Sequence, residues 1–185
     1  MTAREIVAKG DGFALARMLD GDMDFLSAQG DGAFDPDRDD QPPPLEVFRL
    51  AVTTPDGVEL LGDVTWHPVD YGPSVRSRAY DLGFGLLPAA RGRGIGSAAM
   101  RALARYVFDT TQSNRVQAST DVTNVPAQRA LEKAGFTREG VVRGAQLRGG
   151  EHRDLVAYSL LRTEVTGEKL TPSQNASVEL DSRDG

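Results

Sequence analysis

The stretch RGRGIGSAAM, Arg91 to Met100, places glycine at positions 92, 94 and 96, directly ahead of small and apolar residues. Glycine at this density costs chain entropy and adds no side chain, so something must approach the main chain closely here. From Ser97 onward, Met100, Leu103, Ala104 and Val107 follow the spacing of an amphipathic helix, with Arg101 and Arg105 displaced from that stripe as a solvated face. The glycines therefore sit at a helix N-terminus, where unpaired N–H groups and a partial positive charge favour an anion. Arg91 and Arg93 add full charge, and the predicted ligand is a pyrophosphate or a similar group.

Spacing separates three phosphate-binding readings. A P-loop needs Gly-Lys-Ser/Thr, and no lysine follows any of these glycines. Gly94 to Ala99 satisfies G-x-G-x-x-A formally, with Asp121 available as a ribose-binding acid. In a dinucleotide fold, however, the first glycine directly follows the strand. Here PAARGR intervenes, and too little chain remains for the second half of such a sheet. The third pattern, R/Q-x-x-G-x-G/A, is met by Arg91, Gly94 and Gly96 and fits the strand-turn-helix around it.

Ahead of the turn, AYDLGFGLL reads as a strand with Tyr80, Leu82 and Phe84 on one face. Asp81, Gly83 and Gly85 share the other face, which is stripped of bulk except for a carboxylate; Pro88 ends the strand. Further upstream, EVFRLAV and ELLGDVTWH predict a hairpin around TTPDG. Residues 30–44, rich in acids and turn formers and including three consecutive prolines, predict an exposed loop, and the Asp-rich run within it lacks the spacing of a calcium loop. ALARMLDGDMDFL before it predicts helical patches broken by Gly21.

Downstream, RVQASTDV predicts a strand and NVPAQRALEKAG a helix capped by Asn124, with Pro126 in its first turn and Gly135 ending it. FTREGVVRGAQL and HRDLVAYSLL predict two final strands around RGG. Residues 1–162 are thus expected to form a single domain, and 163–185 a disordered polar tail.

The absence of cysteine removes disulfides, thiolate nucleophiles and cysteine-ligated zinc together. With only His67 and His152 as imidazoles, both expected to be structural, no metal site is predicted. A net charge of -6 argues against broad nucleic-acid binding, although the cluster Arg91, Arg93, Arg101 and Arg105 could hold phosphate. No apolar run reaches membrane-spanning length and the N-terminus lacks the apolar core of a secretory signal, so the cytoplasm is the expected compartment.

Three segments, DLGFGLLPAARGRGIGSAAM, NVPAQRALEKAGFTREGVVRG and GGEHRDLVAYSLL, resemble the GNAT N-acetyltransferases in order and spacing. The branch is similar to ribosomal-protein alanine acetyltransferases of the RimJ and RimL type. The resemblance covers roughly residues 45–162, and the first 44 residues match only loosely. It implies an α/β fold with a central mixed, mostly antiparallel sheet, a splayed strand pair and helices on both faces. It also implies acyl transfer from acetyl-CoA, or another acyl-CoA, to a primary amine of a small molecule or a protein N-terminus, and leaves a homodimer open.

Carried over by position, the resemblance places Leu86 and Leu87 beside the pantetheine arm. Arg91, Gly92, Arg93, Gly94, Ile95, Gly96 and Ser97 surround the pyrophosphate. Asn124 contacts the pantetheine, and Arg129 or Lys133 reaches the adenosine phosphates. Asp81 matches the acidic position used as a base, or else it pairs with an arginine such as Arg78 or Arg153. The pattern breaks at the proton donor: Ala127 stands where the branch often has serine, and Leu131 where other members have tyrosine. Tyr158, His152 or a water takes that role, or the thiolate leaves unaided. The departure keeps two alternatives open, a carrier-protein thioester or aminoacyl-tRNA as donor, and a non-catalytic acyl-CoA-binding module.

Overall fold

The computed structural model describes residues 4–37 and 46–165. Its centre is an eight-stranded sheet in the order β1-β2-β3-β4-β5-β6-β8-β7. The strands are β1 (Ile6–Gly10), β2 (Phe13–Ala16), β3 (Phe48–Thr53), β4 (Leu60–Asp70), β5 (Arg78–Leu86), β6 (Arg115–Asp121), β7 (Thr137–Arg148) and β8 (Glu151–Leu161). The helices are α1 (Asp22–Gln29), α2 (Ile95–Thr110) and α3 (Val125–Ala134). All strand neighbours are antiparallel except β5 and β6, which are parallel. A parallel pair needs a crossover, and α2 supplies it.

The apolar stripe read from sequence is the core stripe of α2: Met100, Leu103, Ala104 and Val107 are all fully buried. They pack on the sheet face that carries Leu50, Val52, Val64, Leu82 and Val116. Each such large side chain contributes about 1.5–3 kcal/mol by leaving water. Trp66 belongs to this face too, stacked on Phe48 with ring centroids 5.4 Å apart and met edge-on by Tyr106 of α2 at 5.6 Å. The same helix corrects one expectation: Arg105 is 9% exposed and belongs to the interior rather than to a solvated face.

Helix α3 covers the same sheet face, beside α2, and is capped as its sequence predicts. The Asn124 side-chain oxygen accepts from the Ala127 N–H at 3.2 Å, and Gly135, at φ 97°, closes the other end. Met23, Leu26 and Ser27 of α1 line a cavity together with Asp63, Thr65 and His67 of the opposite face. The N-terminal region is the main departure from the sequence expectation, because Phe13–Ala16 is a buried strand paired with β1 and β3, and only Asp22–Gln29 is helical. Four consecutive apolar residues carry no period, so pairing with β3 decides their conformation. Residues 30–37 are exposed. Most of the expected tail, 166–185, and the second half of the expected loop lie outside the described residues.

Candidate active site

Strands β5 and β6 pair at two positions only, Tyr80 with Val116 and Asp81 with Gln117. Beyond Asp81 the two strands diverge, and β5 continues five residues to Leu86 without β6 beside it. The resulting V-shaped gap passes through the sheet. It is continuous with two adjoining cavities of about 590 and 440 Å³, each in the range of small-molecule sites.

At the open end of the gap lies the glycine turn. Gly92 and Gly94 have φ of 74° and 79°, a conformation that side-chain-bearing residues seldom adopt. Gly94 starts α2 without a side-chain cap, so the first N–H groups of the helix remain available, as at any helix start. Gly96 is needed for a different reason. A Cβ there would lie 3.1 Å from the Phe84 ring, so its absence lets α2 sit close on β5. Gly92, Gly94, Gly96, Ser97, Arg129 and Lys133 line the smaller cavity; Leu86, Arg91 and Asn124 line both, and Leu87 lines the larger.

The Asn124 carbonyl oxygen is used in capping α3, which leaves its NH2 group as the donor available to the gap. Ile95 points into the core at 5% exposure, so it can offer only its backbone. Arg93 is exposed and lines neither cavity. The cationic cluster expected from sequence is dispersed: Arg101 donates to the Lys133 carbonyl, while Arg91 donates to both Asp31 carboxylate oxygens at 2.5 and 2.9 Å and to the Leu86 carbonyl at 2.9 Å.

Asp81 stands at the vertex of the gap, on the sheet face away from α2. The ion pair weighed from sequence does not form: Arg78 pairs with Asp70 at 2.8 Å and Arg153 with Glu151 at 2.7 Å. Instead, the Gln117 amide donates to Asp81 at 3.0 Å. Burial pushes the Asp81 carboxyl above the ordinary carboxylate range, partly offset by the Gln117 hydrogen bond and by the nearness of His67. Gly83 keeps this face low, since a Cβ there would fall 2.6 Å from the Thr65 hydroxyl. Thr65, His67, Ser119 and Phe84 complete the walls.

Tyr158 does not join Asp81. Alternation along β8 pairs it with Ala118, on the face covered by helices, where it is fully buried under α3 and donates to Glu132 at 3.2 Å. His152 is exposed on β8 and lines neither cavity. Ala127 and Leu131 do line the gap, and neither carries a hydroxyl.

Sequence reading also missed a set of residues that structure brings to the gap. Residues 31–37 cross it as a strap. Asp31 holds Arg91 at one end; at the other, the Asp37 carboxylate accepts from the Gly149 and Gly150 amides at 2.8 and 2.9 Å. Between them Phe34 lines both cavities, with the Arg148 guanidinium 5.1 Å from its ring centre. Arg148 in turn donates to Asp121 at 2.5 Å. The only local signal for the strap was its acidic composition, which also suits a free loop.

The splayed strands, the glycine turn and the half-buried Asp81 carboxylate thus share one gap. The family model described as an acetyltransferase (GNAT) domain matches residues 29–137, more than half of the chain, and the chain belongs to that family. Among curated proteins, it is 36% identical over 110 residues to "Putative ribosomal N-acetyltransferase YdaF" of Bacillus subtilis (strain 168), a match covering 60% of this chain and 58% of that protein. It is 32% identical over 106 residues to the L-amino acid N-acetyltransferase AaaT of Escherichia coli (strain K12), covering 56% of this chain and 64% of AaaT. The chain thus spans less than two thirds of these relatives' lengths. Mycobacterium smegmatis RimJ in complex with CoA-disulfide shares the fold, with a TM-score of 0.69 at 18% identity over 87% of this chain and 88% of RimJ. No helix among the described residues is long and apolar enough to cross a membrane.

Proposed function

We propose that this chain is an N-acetyltransferase that moves acetyl from acetyl-CoA to a primary amine. The observation that carries the proposal is the divergence of β5 from β6 immediately after Asp81, with the glycine turn at the open end and the carboxylate at the vertex. The site's residues fit the coenzyme. The turn offers helix N-terminal N–H groups to a pyrophosphate, Arg129 and Lys133 stand on the same cavity, and the unpaired edge of β5 offers backbone donors to a thioester carbonyl.

In this reading the amine nitrogen attacks the thioester carbonyl carbon while Asp81, directly or through one water, takes its proton. The C–S bond then breaks and the thiolate departs. A thiol of ordinary acidity, near 8.5 for cysteine, leaves as thiolate near neutral pH with little help. Ala127 and Leu131 are compatible with that chemistry. The larger cavity is acidic: Asp31, Asp35, Asp63, Asp81 and Asp121 line it against Arg49 and Arg91. A cationic amine, either a small molecule or a protein N-terminus, suits that balance. A preference for neutral or anionic amines in an acceptor screen would count against it.

Calorimetric titration with acetyl-CoA tests the donor site, using wild type and Ser97→Glu. Ser97 lies in the first turn of α2, where glutamate is compatible with the helix yet repels a phosphate. Binding to wild type that the substitution weakens at least tenfold is expected, and a screen of amines with thiol detection then reads turnover. Absence of binding to wild type would overturn the acetyl-CoA assignment.

A further inference from the structure

We propose that Gln117 and Tyr71 act as positioning residues that hold the Asp81 carboxylate in its ionised, proton-accepting state. This rests on Asp81 serving as the base. Asp81 and Gln117 form the last rung before β5 and β6 part, so both side chains project from the same sheet face at the vertex of the gap. The Gln117 NH2 group donates to Asp81 at 3.0 Å, and the Gln117 carbonyl oxygen accepts from the Tyr71 hydroxyl at 2.5 Å.

A primary amide presents a donor on one side and an acceptor on the other, and a half-turn exchanges them. A carboxylate anion only accepts, so it is stabilised by the NH2 side and repelled by the carbonyl side; a neutral carboxyl can donate to the carbonyl. The orientation of Gln117 and the ionisation of Asp81 are therefore coupled. A tyrosine hydroxyl can donate or accept, but the Arg115 guanidinium, which only donates, also bonds Tyr71 and so favours the hydroxyl as donor to the amide oxygen, the arrangement that turns the NH2 group toward Asp81.

Packing does not account for the position of Tyr71, which is 62% exposed. Polar contacts do. Its N–H donates to the Ser77 carbonyl at 3.2 Å, and the Arg115 guanidinium lies 5.8 Å from its ring centre. Arg115 is itself fixed by a two-pronged pair with Glu139 at 2.7 and 2.5 Å. An exposed loop residue is thus anchored so that its hydroxyl reaches a residue in the sheet.

Several other charged or titratable groups face Asp81. His67 lies opposite on β4, the Arg49–Asp63 pair lies further along β3 and β4, Asp121 of β6 pairs with Arg148 of β7, and Asp35 and Asp31 come from the strap, Asp31 paired with Arg91 of the glycine turn. Among the described residues, the hydrogen bond to the Asp81 carboxylate comes from Gln117. Burial opposes ionisation of Asp81, and this bond offsets part of that effect.

The test compares wild type, Gln117→Leu and Tyr71→Phe in two measurements. The first follows the Asp81 carboxyl by 13C NMR across pH without any acceptor. The second takes the pH profile of kcat/KM with acetyl-CoA and the amine that scores highest in the screen. For Gln117→Leu, the titration is expected to move to higher pH, and kcat/KM to fall roughly tenfold on the acid limb with the alkaline plateau retained. Tyr71→Phe, a surface change that leaves the core intact, is expected to move both in the same direction by less. It decides the matter alone if Gln117→Leu fails to fold. An Asp81 titration unchanged by these substitutions would overturn the proposal. A titration that moves while the acid limb stays put would leave the positioning role standing and remove Asp81 from its role as base.

Discussion

At the residue scale, Asp81 carries opposing demands. Its folded-state carboxyl is held above the ordinary value chiefly by burial, so the folded chain binds a proton more readily than the unfolded one. Stability therefore declines as pH rises through that window, and the ionised form at neutral pH is a cost to the fold. Asp81→Asn removes that cost and keeps the shape. It is expected to raise Tm at neutral pH by a few degrees while lowering kcat by about 10²–10⁴-fold. Thermal denaturation paired with a thiol-release assay checks both. Loss of stability together with activity would mean that Asp81 is structural. The sequence already isolated this carboxylate on a face of glycines, but its partner could not be read there, since Gln117 lies 36 residues away on a strand whose register is tertiary.

At the element scale, the strap of residues 31–37 is fastened by few contacts, all near the surface. Backbone donation from Gly150 and Gly149 holds the Asp37 carboxyl below its usual value, and exposed pairs of this kind add little to global stability. Asp37→Ala is therefore expected to leave Tm almost unchanged. Amide exchange at Gly149 and Gly150 should nevertheless accelerate, because their acceptor is lost. A large fall in Tm would show instead that the strap belongs to the core folding unit. The elements that position the donor end were legible because each has a local cause: glycine at positive φ before α2, an apolar stripe along it, and an asparagine cap before α3. Strand β2 was not, since four apolar residues alone carry no period and its partner β3 lies more than thirty residues downstream.

At the scale of the whole molecule, the charge network sets the response to acid. The Arg115 guanidinium, aided by the Ser159 hydroxyl against some burial, holds Glu139 at about 2. Arg91 and the Ala33 amide hold Asp31 at about 2. Burial pushes Asp121 up, but the Thr123 hydroxyl and amide and the Arg148 guanidinium together hold it below its ordinary value. These depressed groups contribute stability that is present above their unfolded values and lost as pH falls toward about 2. Tm is expected to fall steadily below about pH 4.5. Glu139→Gln should flatten part of that slope, and added salt should reduce its share because Glu139 is well exposed. A Tm independent of pH in this range would show that these pairs do not couple to folding.

The sequence by itself determined the secondary elements from residue 46 onward to within about three residues, the glycine turn ahead of α2 and the lone carboxylate on β5. These follow from periodicity, glycine spacing and capping, which act between residues close along the chain. Only the tertiary structure decided which side chains meet across the sheet. It buried Tyr158 beneath α3, turned Arg91 to Asp31, drew the strap over the gap and set Gln117 and Tyr71 behind Asp81. The physical reason is that strand register and the splay of β5 from β6 arise from burying one face of the whole sheet against α2 and α3, a condition that no local stretch contains.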